Sequence, residues 1–213
     1  LRKKEFRIIM LNYTYGTNGL KVDIPRIVNY IDKEIMKGDI AEAKLFNPDF
    51  IIANMHWGLE YERIPSREQR ELADWLLRQG VDLVIGSHPH VVQPMELRRG
   101  KEGVTDRLVV YSLGNFISNM SREHTDGGVM VKVVLGRKGL RRYIISAQYS
   151  LIYSSRYKNE QGKEDIRVVP AASWSGKNQN SSFSVDSALI KYVNNTRLFL
   201  KGNNKEVEEY IFE

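Results

Sequence analysis

Residues 50–90, FIIANMHWGLEYERIPSREQRELADWLLRQGVDLVIGSHPH, contain the pattern that decides the fold. Two short apolar runs, Phe50–Met55 and Val81–Gly86, flank a longer segment with apolar residues at helical spacing. Mainly apolar runs of this length are typical of strands that are buried on both faces of a parallel sheet. The segment between them, Ser66–Gln79, predicts an amphipathic helix that begins with a capping box of Ser66 and Gln69. A strand, a helix and a strand in this order predict a parallel βαβ unit.

The residues upstream of this unit extend the same pattern. The apolar run Phe6–Tyr13 predicts a further buried strand, and the turn-forming residues 14–19 predict a loop after it. Apolar spacing over Ile24–Met36 predicts a helix with Asp23 as its N-cap. A short second helix is predicted over Ile40–Phe46.

The downstream residues predict a different kind of sheet. Four segments have strand character, and the turn at residues 136–139 is the clearest hairpin signal. Residues 173–182 are polar and predict an exposed loop, and Val185–Leu200 predicts a closing helix. We therefore predict an α/β fold in which parallel strand–helix units are followed by antiparallel strands. The four predicted strands are Val91–Leu97, Arg107–Leu113, Gly127–Leu135 and Leu140–Tyr149.

The composition narrows the classes of function. The 213 residues include no cysteine, which excludes disulfides and thiolate metal sites and leaves His, Asp, Glu and Asn as metal ligands. The net charge of +6 favours an acidic partner. Nucleic acid is not expected to be that partner, because neither a clustered basic helix nor an aromatic-rich sheet motif is present in the sequence.

Three of the four histidines follow predicted buried strands. His56 follows the first apolar run of the βαβ unit, and His88 and His90 follow the second. Because ligand sites of open α/β sheets form beyond the carboxyl ends of the strands, these three side chains are candidate metal ligands. If residues 88–90 are extended, both imidazoles of the pair point to the same side, with Pro89 stiffening the turn. The alternative for each histidine is an ordinary polar residue without a ligand, and His124 is interpreted in that way as a surface residue.

Other polar residues near these strand ends are candidates for substrate chemistry. Glu60 is a candidate general acid or ligand-orienting residue, and its alternative is a salt bridge to Arg63 or Arg67. Asn115 is a candidate catalytic residue that hydrogen-bonds the substrate, and its alternative is to shape a tight turn.

The loop after the first strand supplies three candidate substrate-binding residues, Tyr13, Thr14 and Asn18, at the same end of the predicted sheet. Trp57 and Tyr61 are interpreted as packing residues rather than as platforms for a substrate.

Four motifs in series resemble one known family. They are NYTYGTNG at 12–19, HWGLEY at 56–61, VIGSHPHVVQP at 84–94 and YSLGNF at 111–116. Their order and spacing resemble the CapA-type family of poly-γ-glutamate capsule-biosynthesis proteins, a branch of the calcineurin-like metallophosphoesterases. The resemblance covers roughly residues 6–135.

The resemblance implies a layered αββα metallophosphoesterase-like fold, of which residues 1–213 form the C-terminal portion. It implies a site for two divalent ions (Mn, Fe or Zn), with His56 and His88 on one ion and His90 on the other. The family's earlier Asp- and Asn-bearing motifs do not occur in this sequence. The resemblance therefore implies that the metal site is incomplete in this chain.

The resemblance also implies a function in the cell envelope. The expected activity is metal-dependent hydrolysis of a phosphoester or γ-glutamyl bond in an anionic capsule polymer. The alternative is a non-catalytic assembly, anchoring or transport component. Expected partners are other capsule-synthesis proteins, outside the cytoplasm and held to the membrane by a segment absent from this chain. A homo-oligomer of the fragment through its exposed sheet edge is a further expectation.

Overall fold

The computed structural model describes residues 2–3, 6–100, 106–139, 141–172 and 187–211. These residues form ten strands, which are arranged in two sheets, and three helices. In chain order the elements are β1 (Arg2–Lys3), β2 (Phe6–Thr14), α1 (Lys33–Leu45), β3 (Phe50–His56), α2 (Arg67–Gln79), β4 (Leu83–Ser87), β5 (Met95–Arg98), β6 (Arg107–Val110), β7 (Gly127–Lys138), β8 (Arg141–Lys158), β9 (Glu164–Pro170), α3 (Ser187–Asn203) and β10 (Glu208–Glu209).

The first sheet has the order β1-β2-β3-β4-β6-β5, and β2, β3, β4 and β6 run parallel. This confirms the predicted parallel strand–helix units. The antiparallel pairing of β5 with β6 is also as predicted, but both strands complete the parallel sheet because β6 pairs with β4. Both are shorter than predicted.

The second sheet is built on the long hairpin of β7 and β8. The two strands pair from the turn, where Lys138 faces Arg141, to their far ends, where Gly127 faces Tyr153. Gly139 has a φ of 60° in this turn, so the predicted hairpin is confirmed. Beyond its partnership with β7, β8 continues past the predicted end and pairs with β9, a strand that the sequence did not predict.

Two apolar clusters hold the layers together. One lies on the helical face of the parallel sheet and joins α1 and α2 to buried side chains such as Ile51, Ala53 and Val84. The other joins the opposite face, through Phe50 and Leu83 among others, to the second sheet and to α3. The inner parallel strands β3, β4 and β6 are therefore largely buried on both faces, which explains their mainly apolar sequences, whereas β2 is partly exposed.

The prediction of a helix over Ile24–Met36 is wrong. Ile24 is 94% exposed and Ile27 is 87% exposed, and α1 begins only at Lys33. Asp32 is the N-cap, because its carboxylate accepts hydrogen bonds from two amides of the first turn. This cap, rather than the apolar spacing upstream, sets the start of the helix.

The helix that the structure contains joins two segments that the sequence analysis kept apart. Gly38, which separates the two predicted helices, lies inside α1, and the predicted helix Ile40–Phe46 corresponds to the second half of α1. Burial of one stripe across both segments outweighs the local cost of the glycine, which is about 1 kcal/mol. The buried stripe consists of Met36, Ile40 and Ala43.

The other two helices agree with the sequence. The capping box of Ser66 and Gln69 is present, and Gly80 ends α2 in the left-handed conformation. The closing helix is α3, although its predicted first residues, and the predicted loop at 173–182, lie outside the described residues.

Candidate metal centre

Three histidines meet at the carboxyl edge of the parallel sheet. Thr14 of β2 pairs with His56 of β3, and His56 pairs with Ser87 of β4, so the three strands end side by side. His88 follows directly, and its ring centroid lies 4.7 Å from that of His56. The centroids of His88 and His90 are 6.1 Å apart. The sequence prediction that these histidines come together is confirmed.

The route by which the pair comes together differs from the prediction. His88 has a φ of 99° and His90 a φ of 62°, so residues 88–90 are not extended. β4 ends at Ser87, and beyond it Pro89 accepts a hydrogen bond from the amide of Tyr61 instead of continuing the ladder. Non-glycine residues rarely adopt positive φ, and such backbone strain is concentrated at functional sites.

The glycine that precedes these histidines allows a close approach of two strands. A Cβ atom at Gly86 would lie 1.9 Å from the carbonyl oxygen of Tyr111. The same oxygen accepts a hydrogen bond of 2.9 Å from the indole N–H of Trp57. Trp57 is buried, which confirms its interpretation as a packing residue.

Glu60 reaches the histidines from the loop that follows β3. Its Oε1 lies 3.7 Å from Nε2 of His90. One ligand atom from each of Glu60, His88 and His90 lies within 4.8 Å of the other two. The structure therefore brings a carboxylate and two imidazoles together.

The two arginines that were the alternative salt-bridge partners of Glu60 contact other residues. Arg67 pairs with Glu71 at 2.6 Å, and the guanidinium of Arg63 lies 3.8 Å from the ring centre of Phe199. Glu60 is exposed and faces His90.

A buried amide pair holds the loop that carries Glu60. The side-chain amide of Gln69 donates to Oε1 of Gln93 at 2.8 Å, and Gln93 donates to the carbonyl oxygen of Glu62 at 2.8 Å. Both glutamines are buried. Because buried polar groups need their partners, this pair fixes the loop between α2 and the residues that follow His90.

Asn115 sets the orientation of His90. Nδ1 of His90 lies 3.0 Å from Oδ1 of Asn115, and the amide nitrogen of Asn115 donates to the carbonyl oxygen of Thr125 at 2.9 Å. The second bond turns the amide oxygen of Asn115 towards His90, so Nδ1 of His90 donates the proton. This leaves Nε2 of His90, the atom nearest Glu60, as the ring's electron-pair donor.

The histidines are electrostatically suited to bind a cation. Partial desolvation lowers the pKa of His56, and the charge of His90 lowers it further. Desolvation also lowers the pKa of His88, and the neighbouring His56 adds to this effect. Both rings are thus held in the neutral form that binds metals.

The three candidate substrate-binding residues lie in different surroundings. Tyr13 is buried, and its hydroxyl donates to Asp39 at 2.8 Å. Thr14 lies at the strand end, where its hydroxyl donates to the carbonyl oxygen of Gly16. Asn18 accepts a hydrogen bond from the hydroxyl of Tyr15. Tyr13 and Thr14 line one cavity together with His56, and Asn18 is connected to the histidines through Tyr15, whose ring stacks on His56.

Tyr15 is the residue on this loop that contacts the histidines, and the sequence analysis missed it. Its ring is parallel to that of His56 within 8° and lies 4.4 Å from His88, measured between centroids. Its amide donates to the carbonyl oxygen of His56. Extending the pairing of β2 with β3 by one residue beyond Thr14 would have found it.

A second aromatic residue, Tyr61, stacks on His90 with centroids 6.0 Å apart, and Arg122 lies 4.0 Å from the ring centre of Tyr61. Tyr61 thus packs against the site itself. His124 lies elsewhere, half-buried in a separate cavity beside Asp126 and Lys191.

The donor set fits a divalent transition metal. Two imidazoles and one carboxylate form a common three-ligand set for zinc and non-haem iron. The bond from His90 to Asn115 is the outer contact that such ligands usually make. Among the residues that the structure describes, only Glu60, His88 and His90 form a group of this kind.

Comparison with known proteins places the chain in a family. The family model for the bacterial capsule synthesis protein PGA_cap matches residues 1–120, more than half of the chain. The chain belongs to this family. The family shown and the mixed α/β fold of the structure are those that the sequence motifs predicted.

Two curated relatives support this membership. The PGA biosynthesis protein CapA of Bacillus subtilis (strain 168) is 34% identical over 115 residues, which are 54% of this chain and 28% of that protein. The capsule biosynthesis protein CapA of Bacillus anthracis is 35% identical over 107 residues, which are 50% of this chain and 24% of that protein. The matched region thus spans about a quarter of each relative.

The Bacillus anthracis relative is named as a capsule biosynthesis protein, which is consistent with a place in the cell envelope. Within the described ranges, the helices lack the length and apolar character needed to cross a bilayer.

Proposed function

We propose that the chain carries a metal-dependent hydrolase site that acts in the synthesis of a capsule polymer. The observation that carries the proposal is the convergence of Glu60, His88 and His90 at the carboxyl edge of the parallel sheet, with their ligand atoms within 4.8 Å of one another. Membership of the capsule synthesis family supplies the biological context.

In this proposal His88, His90 and Glu60 hold one divalent ion of Mn, Fe or Zn. When bound, the ion supplies a Lewis acid that polarises the reacting group and activates water. Asn115 acts as a positioning residue, because it holds Nδ1 of His90 and leaves Nε2 for the ion. Glu60 is the only carboxylate of this described group, so a role as ligand competes with its role as general acid.

His56 lies beside this group, with its ring centroid 4.7 Å from that of His88. It is the proposed ligand for a second ion, because the one lone-pair nitrogen of a neutral His88 serves only the first. Neutral imidazoles cannot balance two divalent charges, so the second ion needs carboxylates beyond those of the described triad.

The proposed substrate is an anionic capsule polymer, cut at a phosphoester or γ-glutamyl amide bond. The net charge of +6 favours a polyanion. The name of the Bacillus subtilis relative, a PGA biosynthesis protein, favours the γ-glutamyl amide. The proposed location is extracytoplasmic, together with other capsule-synthesis proteins.

Metal content tests the proposal. The protein is incubated with Mn, Fe or Zn, desalted, and analysed by elemental mass spectrometry, alongside His88→Ala plus His90→Ala and the matched control His124→Ala. We expect about one equivalent in the parent and in the control, and loss in the double variant. Turnover of p-nitrophenyl phosphate and of a γ-linked glutamate pentamer is then compared among the three proteins.

If the parent protein binds none of these ions, the hydrolase proposal fails. Family membership would then leave an assembly, anchoring or transport role as the account of the chain. Metal binding without turnover of either substrate class would exclude the two proposed reactions.

A further inference from the structure

A groove of about 780 Å³ leads away from the candidate metal centre. His90 and Asn115 line one part of it, and Arg156, Glu164 and Ile166 of the second sheet line another. Its volume lies within the range of about 300–1,000 Å³ that is usual for ligand sites.

Direct contacts connect the two parts of the groove. The amide nitrogen of Asn115 lies 3.7 Å from the sulfur of Met120. The guanidinium of Arg156 donates to the carbonyl oxygens of Asn119 and Met120. A short loop with defined contacts therefore spaces Arg156 from His90.

Strand pairing determines which charged side chains share a face of the groove. Arg156 pairs with Ile166, and two residues further along Lys158 pairs with Glu164. In an antiparallel ladder, paired residues share a face and successive residues alternate. Arg156, Lys158 and Glu164 therefore lie on one face, with Lys158 directly opposite Glu164 and Arg156 its diagonal neighbour. Asp165 belongs to the opposite face by its register, where its carboxylate accepts a hydrogen bond from Tyr157, and it also lines the groove.

A cation and an anion at this spacing match a particular ligand chemistry. The first residue of a γ-linked glutamyl chain carries an ammonium and an α-carboxylate on the same carbon atom. Every internal residue carries only the carboxylate, because its nitrogen is part of an amide. Diagonal neighbours on a ladder are about 7–8 Å apart at the backbone, which leaves room for both groups between two long side chains.

We propose that Arg156 and Glu164 form a subsite for the amino end of a γ-linked glutamyl chain, with Arg156 on the α-carboxylate and Glu164 on the ammonium. This inference rests on the proposed function, since it names the part of the polymer that the groove receives. Both residues lie outside the region, residues 1–120, that the family model matches. The subsite is therefore a property of this chain rather than of the shared motifs.

Binding of defined oligomers tests the subsite without any hydrolysis. Chelator-treated protein is titrated calorimetrically with three γ-linked glutamate pentamers: one with free ends, one acetylated at the amino end, and one amidated at the first α-carboxyl group. Because charge-assisted hydrogen bonds carry the recognition, both modified pentamers are expected to bind about tenfold to a hundredfold more weakly than the free one.

Substitutions assign the two contacts separately. Glu164→Gln should bind the free and acetylated pentamers equally, and Arg156→Gln should bind the free and amidated pentamers equally. Arg156→Lys, which keeps the charge beside the loop, should retain part of the carboxylate preference. Glu160→Gln and Arg141→Gln, on exposed positions at the two ends of the same sheet, are the matched controls and should keep both preferences.

Three outcomes would contradict the proposed subsite. The acetylated pentamer binds as tightly as the free one, Glu164→Gln keeps the preference for the free over the acetylated pentamer, or no pentamer binds at millimolar concentration. Because the titration is done without metal, these failures are separate from a failure of the hydrolase proposal, which is read from metal content and turnover.

Discussion

The two sheets expose their functional side chains in different ways. In the parallel half, residues 6–110, the inner strands β3, β4 and β6 are largely buried on both faces, between the helices and the second sheet, whereas β2 is partly exposed. Its polar residues of interest therefore lie on the loops beyond the strand ends. The antiparallel half, residues 127–170, is buried on both faces in the middle of β8 and becomes accessible towards the far end of β8 and along β9. It carries the residues of interest, Arg156 and Glu164, on a strand face.

The two halves therefore contribute different parts of a binding site. Ligands that need close, fixed geometry come from loops held by a rigid parallel sheet. A groove wall comes from a ladder whose side-chain spacing is set by the pleat. Substitutions in each half test this difference between the two sheets.

The first prediction is that the two halves unfold together. Leu76 in α2 and Leu151 in β8 are both fully buried, but they belong to different apolar clusters. Leu76→Ala and Leu151→Ala should each lower the free energy of unfolding by roughly 2–5 kcal/mol in urea titrations followed by circular dichroism. Because one cluster contains side chains of both sheets, each variant should keep a single transition. A biphasic curve for Leu151→Ala alone would show that the halves are separate folding units.

The second prediction concerns Asp106, which connects the halves. Its carboxylate accepts hydrogen bonds from the amides of Gly100 and Ile144 and pairs with Arg99. Burial alone would raise the pKa of Asp106, but these partners outweigh it and leave the pKa below its ordinary value. Asp106→Asn should lower the free energy of unfolding by roughly 2 kcal/mol at pH 7, because charge-assisted bonds are lost.

The sign of the pH dependence follows from the lowered pKa. The stabilisation by Asp106 is fully present above the unfolded-state pKa of about 3.9 and is lost as the pH falls through the lower folded-state pKa. The difference in unfolding free energy between parent and Asp106→Asn should therefore shrink in acid. A difference that stays constant from pH 7 to pH 3 would contradict this assignment.

The third prediction tests the outer contact of the candidate metal centre. Asn115→Ala removes the acceptor for His90 and should weaken zinc binding about tenfold to a hundredfold, measured by competition with a chromophoric chelator. Asn115→Asp keeps an acceptor and should retain most of the affinity. Equal weakening in both variants, at unchanged stability, would mean that Asn115 only shapes its turn.

The smallest predicted effect concerns the start of α1. Asp32→Ala removes the N-cap and should lower the free energy of unfolding by about 1 kcal/mol. Asp23→Ala, at the cap that the sequence analysis favoured, should change it by less than about 0.5 kcal/mol. Thermal denaturation of the two variants side by side makes this comparison. A larger loss of unfolding free energy for Asp23→Ala than for Asp32→Ala would mean that the helix begins at Asp23, as the sequence predicted.

The sequence predicted the parallel half well where the signal was local. The capping box of Ser66 and Gln69 fixes α2, and burial on both faces gives β3 and β4 a clear apolar composition. The apolar run of β2 also predicted its strand, although β2 is partly exposed. The start of α1 was not predictable in this way, because the exposed apolar residues Ile24 and Ile27 imitate a helical stripe.

The antiparallel half was less predictable. The turn at residues 136–139 identified the hairpin, but β9 was missed, because its residues are half-buried or exposed and have no continuous apolar pattern. Its position depends on pairing with a part of β8 that lies beyond β7.

Three features were predictable from the sequence alone: the strand order of the βαβ unit, membership of the family, and the position of His56, His88 and His90 at one edge of a sheet. These follow from local periodicity and from the rule that parallel strands end at the same edge. Three contacts became visible only in the tertiary structure: Glu60 faces His90, Asn115 orients His90, and Tyr15 packs on His56 and His88. Such contacts depend on where loops from separate strands turn in space, and the positive φ angles of His88 and His90 show that long-range packing sets those turns.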